Sequence, residues 1–169
     1  MQAIFLIGAR ASGKTTFGRV LAEALHCNFV DTDVYMQNKW GETVADVVVR
    51  EGWEGFRNRE ETVLHEVACP DTVIATGGGM VLRPANRLFM RENGTVFYLY
   101  ARPEVLAARL EAAPNAGQRP SLTGKPIVEE VAAVLTEREP LYRETAAYVL
   151  NAEGTLQDAL AEVKKLLAG

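Results

Sequence analysis

The chain has 169 residues, enough for one folded domain with a sizeable core, and its 48% hydrophobic and 24% charged content is that of an ordinary globular protein. The formal net charge of −4 argues against a surface that binds nucleic acid along its length. The first apolar run is far too short to cross a membrane and carries no basic leader. We therefore expect a single cytoplasmic domain over residues 1–169, a monomer with neither nucleic acid nor a membrane as its partner.

Five short apolar runs predict the strands of a sheet. They are rich in β-branched and aromatic residues and do not alternate with polar ones, which is typical of parallel strands covered on both faces. Amphipathic helical patterns separate them, one over 17–25 and another over 156–167 with Thr155 as its N-cap. This order predicts an α/β fold, a doubly wound five-stranded parallel sheet flanked by helices. The strands are expected at 3–7, 28–30, 72–76, 95–100 and 148–150.

Two segments are longer than the connections of such a sheet require. About forty residues separate the second predicted strand from the third, which is more than one crossover helix needs. Residues 112–126 are rich in proline, glycine and polar residues and show no periodicity, so they predict a loop. Long loops in compact domains are commonly functional lids or disordered segments.

The first predicted strand leads into the sequence GARASGKT, residues 8–15, which matches the phosphate-loop pattern G-x-x-x-x-G-K-[ST]. Its glycines let successive backbone N–H groups point at phosphate oxygens, and the following helix presents its positive dipole end to the same anion. Lys14 suits the β and γ phosphates, and the Thr15 hydroxyl suits Mg²⁺. The alternative is a glycine-rich turn between strand and helix. We expect a nucleotide triphosphate here, held by Gly8, Ser12, Gly13, Lys14, Thr15 and Thr16.

A phosphate loop by itself does not name the reaction. The N-K-x-D motif with which a GTPase reads its base is absent, because Asn38-Lys39 is followed by Trp40-Gly41. The predicted strand at 72–76 ends in Thr76-Gly77 and lacks the acidic residue of an ordinary P-loop ATPase. A carboxylate near the metal must therefore come from another segment.

The sequence DTD, residues 31–33, follows the second predicted strand. The carboxyl ends of parallel strands form the ligand crevice of a doubly wound sheet, so both carboxylates are expected beside the phosphate loop. One of Asp31 and Asp33 can then serve the metal and the other a substrate hydroxyl. The alternative, about equally supported by the sequence alone, is that Asp33 caps a helix or closes an Asx turn.

Two further patterns point to a site for an anion. Arg57 and Glu60 are three residues apart, so on a helix they share a face and the carboxylate can orient the guanidinium group. The alternative is a solvated ion pair. Gly77, Gly78 and Gly79 follow the third strand, and such a costly run of glycines is expected where a ligand approaches the backbone closely. A tight connector is the alternative.

Together, these motifs resemble those of shikimate kinases in the family's order, and the likeness covers nearly the whole chain. The resemblance implies a P-loop NTPase fold of the nucleoside-monophosphate-kinase-like kind. It also implies transfer of the γ-phosphoryl group of ATP to the 3-hydroxyl of shikimate, a step towards chorismate and the aromatic amino acids, with Mg²⁺ as the metal. Besides the phosphate loop, the matching motifs are DTD (31–33), FRNRE (56–60), ATGGG (75–79), QRP (118–120) and REPLYR (138–143).

For shikimate, the resemblance implies contacts from three segments of the chain. Asp33 would bind the hydroxyl groups and accept the proton. Arg57 and Arg138 would hold the carboxylate, which suits the planar fork of arginine. Gly78 and Gly79 would close on the ring.

For the nucleotide, the resemblance implies a metal site and an adenine site. Asp31 would help to hold Mg²⁺ through water, together with Thr15. Arg109 would stack on the adenine, and residues 151–154 would form the adenine loop, although the proline often found there is missing.

The resemblance also divides the domain. An insertion at about 33–61 would bind the substrate, and a lid at about 112–125 would bring Arg119 onto the phosphates. Lys14, Asp33 and Arg119 would then carry the catalysis, because phosphoryl transfer depends mainly on alignment and charge stabilisation.

Two other functions fit part of the sequence. A kinase of another small acceptor, such as gluconate or a nucleoside monophosphate, would share the phosphate loop but not the combination of Arg57, the glycine run and Arg138. A non-catalytic ATP-binding module would keep the fold, but all the expected catalytic residues are present. Turnover with a panel of acceptors distinguishes these alternatives.

Overall fold

A five-stranded parallel sheet lies at the centre of the protein, whose computed structural model describes residues 1–112 and 126–169. The strands pair in the order β2-β3-β1-β4-β5, and each predicted strand is confirmed to within a residue at its ends. They are β1 (Ala3–Ile7), β2 (Asn28–Asp31), β3 (Thr72–Ala75), β4 (Gly94–Tyr100) and β5 (Tyr148–Asn151).

Helices cover both faces of this sheet. Thr155 caps the last of them by accepting a hydrogen bond from the Asp158 backbone N–H at 3.0 Å, as predicted. Across the described ranges, the structure contains no helix with the length and hydropathy needed to span a membrane. The helices are α1 (Lys14–Leu25), α2 (Thr32–Trp40), α3 (Val44–Val67), α4 (Pro84–Asn93), α5 (Pro103–Ala112), α6 (Ile127–Thr145) and α7 (Leu156–Ala168), with a short 3₁₀ turn at Met80–Leu82.

The central strand β1 explains why the strand sequences are apolar without alternation. All five of its residues are buried, and successive side chains point to opposite faces of the sheet. Ile4 and Leu6 pack with α1 and α7, whereas Phe5 and Ile7 pack with α3, α4 and α6. Because helices cover both faces, every position along the strand has to be apolar.

The parallel arrangement brings three of the predicted motifs to one edge of the sheet. The phosphate loop follows Ile7 of β1, and the glycine run follows β3, which pairs directly with β1. On the other side of β3, Asp31 lies opposite Ala75 at the end of β2. The loop ends therefore meet at the carboxyl edge, where ligands bind in folds of this type.

The long crossover between β2 and β3 consists of α2 and α3. Helix α3 is broken at Gly52, whose φ of 73° and ψ of 176° are not helical. The guanidinium group of Arg59 bridges the break, donating to Glu51 at 2.5 Å and to Glu42 at 3.3 Å. The break thus sets the direction of residues 53–67, the half of α3 that carries the predicted acceptor residues.

The predicted division of the domain stays a prediction. Residue 112 ends α5, and residue 126 precedes α6. The rest of the predicted lid, including Arg119, lies outside the described residues.

We predict that Gly52→Ala lowers the free energy of unfolding by about 1–3 kcal/mol, because a positive φ with an extended ψ strains any residue with a Cβ. Apart from the chain neighbours and the helix's own backbone, no atom of the described residues lies within 4 Å of the position that this Cβ would take, so the cost comes from the backbone conformation. The measurement is urea denaturation. Gly154→Ala is the matched control, since its Cβ would meet nothing nearer than 3.9 Å, and we expect it to leave the stability unchanged or higher. Equal stability of the two variants would contradict a strained break.

Candidate active site

The phosphate loop needs glycine at two positions for two different reasons. Gly8 has φ 150°, and a Cβ there would lie 2.7 Å from the Leu99 carbonyl oxygen and 3.0 Å from Ser12 Oγ. Gly13 has φ 95°, a left-handed conformation at the position directly before α1. Between them, Ala11 also has a positive φ, 65°, which is strained for a residue with a side chain. Sequence analysis missed Ala11, because an alanine carries no signal of backbone strain.

Lys14 and the start of α1 place positive charge inside this loop. The Lys14 Nζ donates to the carbonyl oxygens of Gly8 at 2.7 Å and Ala9 at 2.8 Å. Helix α1 begins at Lys14, and no side chain caps its first N–H groups. A helix N-terminus and an ammonium group that meet in a glycine-rich turn form a site for phosphate.

Asp31 connects the second motif to the phosphate loop. Its Oδ2 accepts a hydrogen bond from Thr15 Oγ1 at 2.5 Å, and its Oδ1 accepts from the backbone N–H groups of Asp33 at 2.9 Å and Val34 at 3.2 Å. Asp31 is therefore the N-cap of α2, and the alternative that assigned a capping role to Asp33 is wrong. The cap holds one carboxylate oxygen of Asp31 against the hydroxyl of Thr15.

This pair of side chains suits Mg²⁺. The ion prefers oxygen ligands and usually keeps several waters, so one hydroxyl and one carboxylate beside the phosphates are enough protein ligands. The described residues contain no cluster of three or more acidic, histidine or cysteine side chains that would form a metal site of another kind.

Gly77 lies between two carboxylates. A Cβ at this position would come within 3.0 Å of Asp33 Oδ1 and within 2.9 Å of Glu60 Oε2. The Gly77 N–H donates to Thr32 Oγ1 at 3.1 Å, which ties the loop to the first turn of α2. The glycine run was predicted to admit a ligand, but at Gly77 it admits two acidic groups of the protein itself.

The predicted pair of Arg57 and Glu60 is present and is not a solvated ion pair. Arg57 Nη1 donates to Glu60 Oε1 at 2.7 Å, and Glu60 is 1% exposed. Burial raises the pKa of the Glu60 carboxyl, and the positive charges of Arg57 and Arg138 oppose that rise. The guanidinium group of Arg57 lies on the backbone of Gly79, where a Cβ would come within 2.4 Å of Nη1. The absence of a side chain at residue 79 therefore leaves the space that the Arg57 guanidinium group occupies.

Arg138 reaches the same loop from α6. It is buried, and its Nη1 lies 3.4 Å from the position of a Cβ on Gly78. The backbone N of Arg10 and the carbonyl oxygen of Gly8 surround that position at 3.5 and 3.6 Å. The structure thus brings Arg138 and Gly78 against the phosphate loop, as the predicted roles require.

A second cleft lies on the other side of the phosphate loop. The Arg109 side chain forms part of the wall of this cleft and donates hydrogen bonds to the carbonyl oxygens of Ala11 at 3.1 Å and Ala152 at 2.7 Å. The cleft encloses about 370 Å³ between the loop, Arg109 and the segment after β5. Other residues that line it are Ser12, Gly13, Thr16, Phe17, Leu99, Leu150, Asn151, Gly154, Thr155, Leu156 and Ala159.

A parallel sheet of order 2-3-1-4-5, with a phosphate loop after its central strand and carboxylates at the carboxyl ends of its strands, defines a P-loop nucleotide-binding protein. The family model described as shikimate kinase matches residues 10–168. The chain belongs to the shikimate kinase family. It is an enzyme that catalyses the reaction of that family, the phosphorylation of shikimate by ATP in aromatic biosynthesis.

Individual relatives agree with this assignment. Shikimate kinase 2 of Syntrophotalea carbinolica is 61% identical over 166 residues, which are 98% of this chain and 96% of that protein. Shikimate kinase 2 of Yersinia enterocolitica is 53% identical over 167 residues, 99% of this chain and 96% of that protein. The structure of a shikimate kinase from Acinetobacter baumannii in complex with shikimate matches with a TM-score of 0.91 at 35% identity, covering 99% of this chain and 93% of that chain.

We predict that Arg109→Ala raises the KM for ATP about tenfold and leaves the KM for shikimate within twofold, because the two charge-assisted bonds that shape the second cleft are lost. The measurement is steady-state kinetics with each substrate varied in turn. Arg91→Ala is the control, since Arg91 is exposed and donates to the Glu144 carbonyl oxygen, and neither residue lines the cleft. An equal rise in both KM values for Arg109→Ala would contradict a role confined to the nucleotide.

Proposed function

We propose that shikimate binds between Arg57, Arg138 and Asp33, with its 3-hydroxyl directed towards the phosphate loop. One observation carries this proposal: two guanidinium groups border the Gly78–Gly79 backbone, and the Asp33 carboxylate borders the adjacent Gly77. Shikimate is an anionic triol, so its carboxylate calls for an arginine fork and its hydroxyls for acceptors. An acceptor without a carboxylate would gain no ion pair from either guanidinium group.

Asp33 is the proposed acceptor of the 3-hydroxyl proton. It occupies the first turn of α2, where the cap at Asp31 sets the direction of the helix. Its Oδ1 lies beside Gly77, at the edge of the sheet that also carries the phosphate loop. A carboxylate at this position can orient the hydroxyl for attack and take its proton as the new bond forms.

Lys14, Thr15 and Asp31 are the proposed residues on the phosphoryl side. Lys14 supplies a positive charge for the β and γ phosphates, and Thr15 and Asp31 would hold Mg²⁺. When bound, the ion neutralises charge that develops on the transferring group. Gly8, Ser12, Gly13 and Thr16 would complete the phosphate cradle.

Other parts of the proposal rest on the sequence. Arg119 is proposed to close onto the phosphates with the lid at 112–125, which would exclude water from the reaction. A monomeric enzyme in the cytoplasm, without nucleic acid as a partner, is likewise proposed from the composition.

The reaction is tested by ADP release in a coupled assay with and without shikimate. We expect ADP release to depend on shikimate and to be absent with gluconate or nucleoside monophosphates. Shikimate-independent hydrolysis, or faster turnover of another acceptor, would refute the proposed acceptor site.

In that assay, Asp33→Asn is expected to lower kcat by about 10²-fold or more, the scale of a lost general base. The change keeps the size and the hydrogen-bonding reach of the side chain and removes its basicity. The KM for ATP should stay within a few-fold of the wild-type value. A kcat equal to that of the wild type would show that Asp33 only positions the acceptor.

Arg57→Ala is expected to raise the KM for shikimate about tenfold or more, since a charge-assisted bond to a bound anion contributes about 1.5–3 kcal/mol. The KM for ATP should change much less, because Lys14 and its loop are untouched. The control is Arg50→Ala, an exposed arginine of the same crossover that pairs with Glu42 and Glu51. If both variants raise the KM for shikimate equally, Arg57 does not contact the acceptor. The thermal midpoint of each variant reports any loss of stability from leaving the buried Glu60 carboxylate without Arg57.

A further inference from the structure

The hydroxyl of Tyr142 joins two of the groups proposed to bind shikimate. It donates a hydrogen bond to the Gly78 carbonyl oxygen at 2.7 Å. The Arg138 guanidinium group lies beside the same hydroxyl, and its positive charge acts on the phenol. A phenol can donate once and still accept, so its oxygen offers a lone pair to that guanidinium group while it donates to Gly78. Tyr142 is 1% exposed, and the link is therefore shielded from water.

This link crosses between two elements that are far apart in the chain. Tyr142 and Arg138 are four residues apart on α6 and so lie on one face of the helix. Gly78 belongs to the loop after β3. Burial raises the pKa of Tyr142 to about 12, so the hydroxyl keeps its proton and remains a donor to Gly78.

The ring of Tyr142 is held in place independently of its hydroxyl. It stacks on Tyr98 of β4, with ring centroids 4.9 Å apart and planes inclined by 26°. The Tyr98 hydroxyl in turn donates to Glu139, which lies on α6 between Arg138 and Tyr142. The stack leaves the hydroxyl of Tyr142 little freedom to move away from Gly78.

We propose that Tyr142 is a positioning residue for the acceptor carboxylate: its hydroxyl holds the Arg138 guanidinium in register with the Gly78 backbone. This inference rests on the proposed function, because it assumes that Arg138 meets a carboxylate. Without the hydroxyl, the Gly78 carbonyl loses a buried partner and Arg138 loses the contact that sets its direction. A guanidinium group that must be reoriented on binding costs affinity for the acceptor. Lys14, which donates to the Gly8 and Ala9 carbonyl oxygens, takes no part in this link.

The test compares Tyr142→Phe with Tyr98→Phe. Both variants keep an aromatic ring in the same stack, and each removes one hydroxyl with a hydrogen-bond acceptor, but only Tyr142 faces the acceptor site. We expect Tyr142→Phe to raise the KM and the dissociation constant for shikimate about tenfold, with the KM for ATP within twofold. Tyr98→Phe should leave all of these constants within twofold. Thermal midpoints of both variants identify a general loss of stability.

Two further measurements test the route through Arg138. By titration calorimetry, Tyr142→Phe should weaken the binding of shikimate more than the binding of shikimate methyl ester, which lacks the carboxylate charge. Arg138→Lys removes the planar fork of the guanidinium group. In that background, Tyr142→Phe should raise the dissociation constant for shikimate by no more than a further twofold.

The inference is overturned if the dissociation constant of Tyr142→Phe for shikimate is within twofold of the wild-type value. It is also overturned if the variant weakens the binding of shikimate and of its methyl ester equally. It is also overturned if Tyr98→Phe has the same effect, because loosened packing would then explain both. A wild-type enzyme that releases no ADP with shikimate would refute the proposed function itself, and the inference with it. The wild-type assay therefore separates the two failures.

Discussion

The glycine backbone at 77–79 is the constraint on which the active site depends. Asp33 and Glu60 approach Gly77, Arg138 approaches Gly78, and the Arg57 guanidinium group covers Gly79. Side chains at Gly77 and Gly79 would displace these groups, because the Cβ positions fall within 3.0 Å of them. The loop therefore lets opposite charges from α2, α3 and α6 converge beside the phosphate loop. The entropy that three glycines lose on folding is offset by this convergence.

Charge balance explains why so many ionic groups can be buried together. Glu60 is 1% exposed and pairs with Arg57, so neither charge is left uncompensated. Asp31 serves two purposes at once, because one of its oxygens caps α2 and the other meets Thr15. Glu60 thus orients Arg57, and an anionic acceptor would find this arginine already in place. Such preorganisation lowers the cost of binding and of stabilising charge during transfer.

Much of this arrangement could be predicted because it follows from local rules. The phosphate loop is a contiguous pattern with a strand before it and a helix after it, and the pairing of Arg57 with Glu60 follows from helical spacing. Other features could not be predicted. Whether Asp31 or Asp33 caps α2 depends on a shift of two residues in the start of the helix, and the link from Tyr142 to Gly78 joins segments 64 residues apart. Local spacing carries no information about such a contact.

The sequence by itself determined the sheet, its parallel strands and the phosphate loop, because the apolar runs, helical periods and glycine spacing act over a few residues at a time. It also carried enough ordered motifs to indicate the family. Only the tertiary structure decided which charged groups meet. Strand order places the ends of β1, β2 and β3 side by side, and the packing of α3 and α6 directs Arg57 and Arg138 to neighbouring glycines of one loop. The distances between these charged groups and the glycine loop depend on the whole fold, since each group comes from a different element.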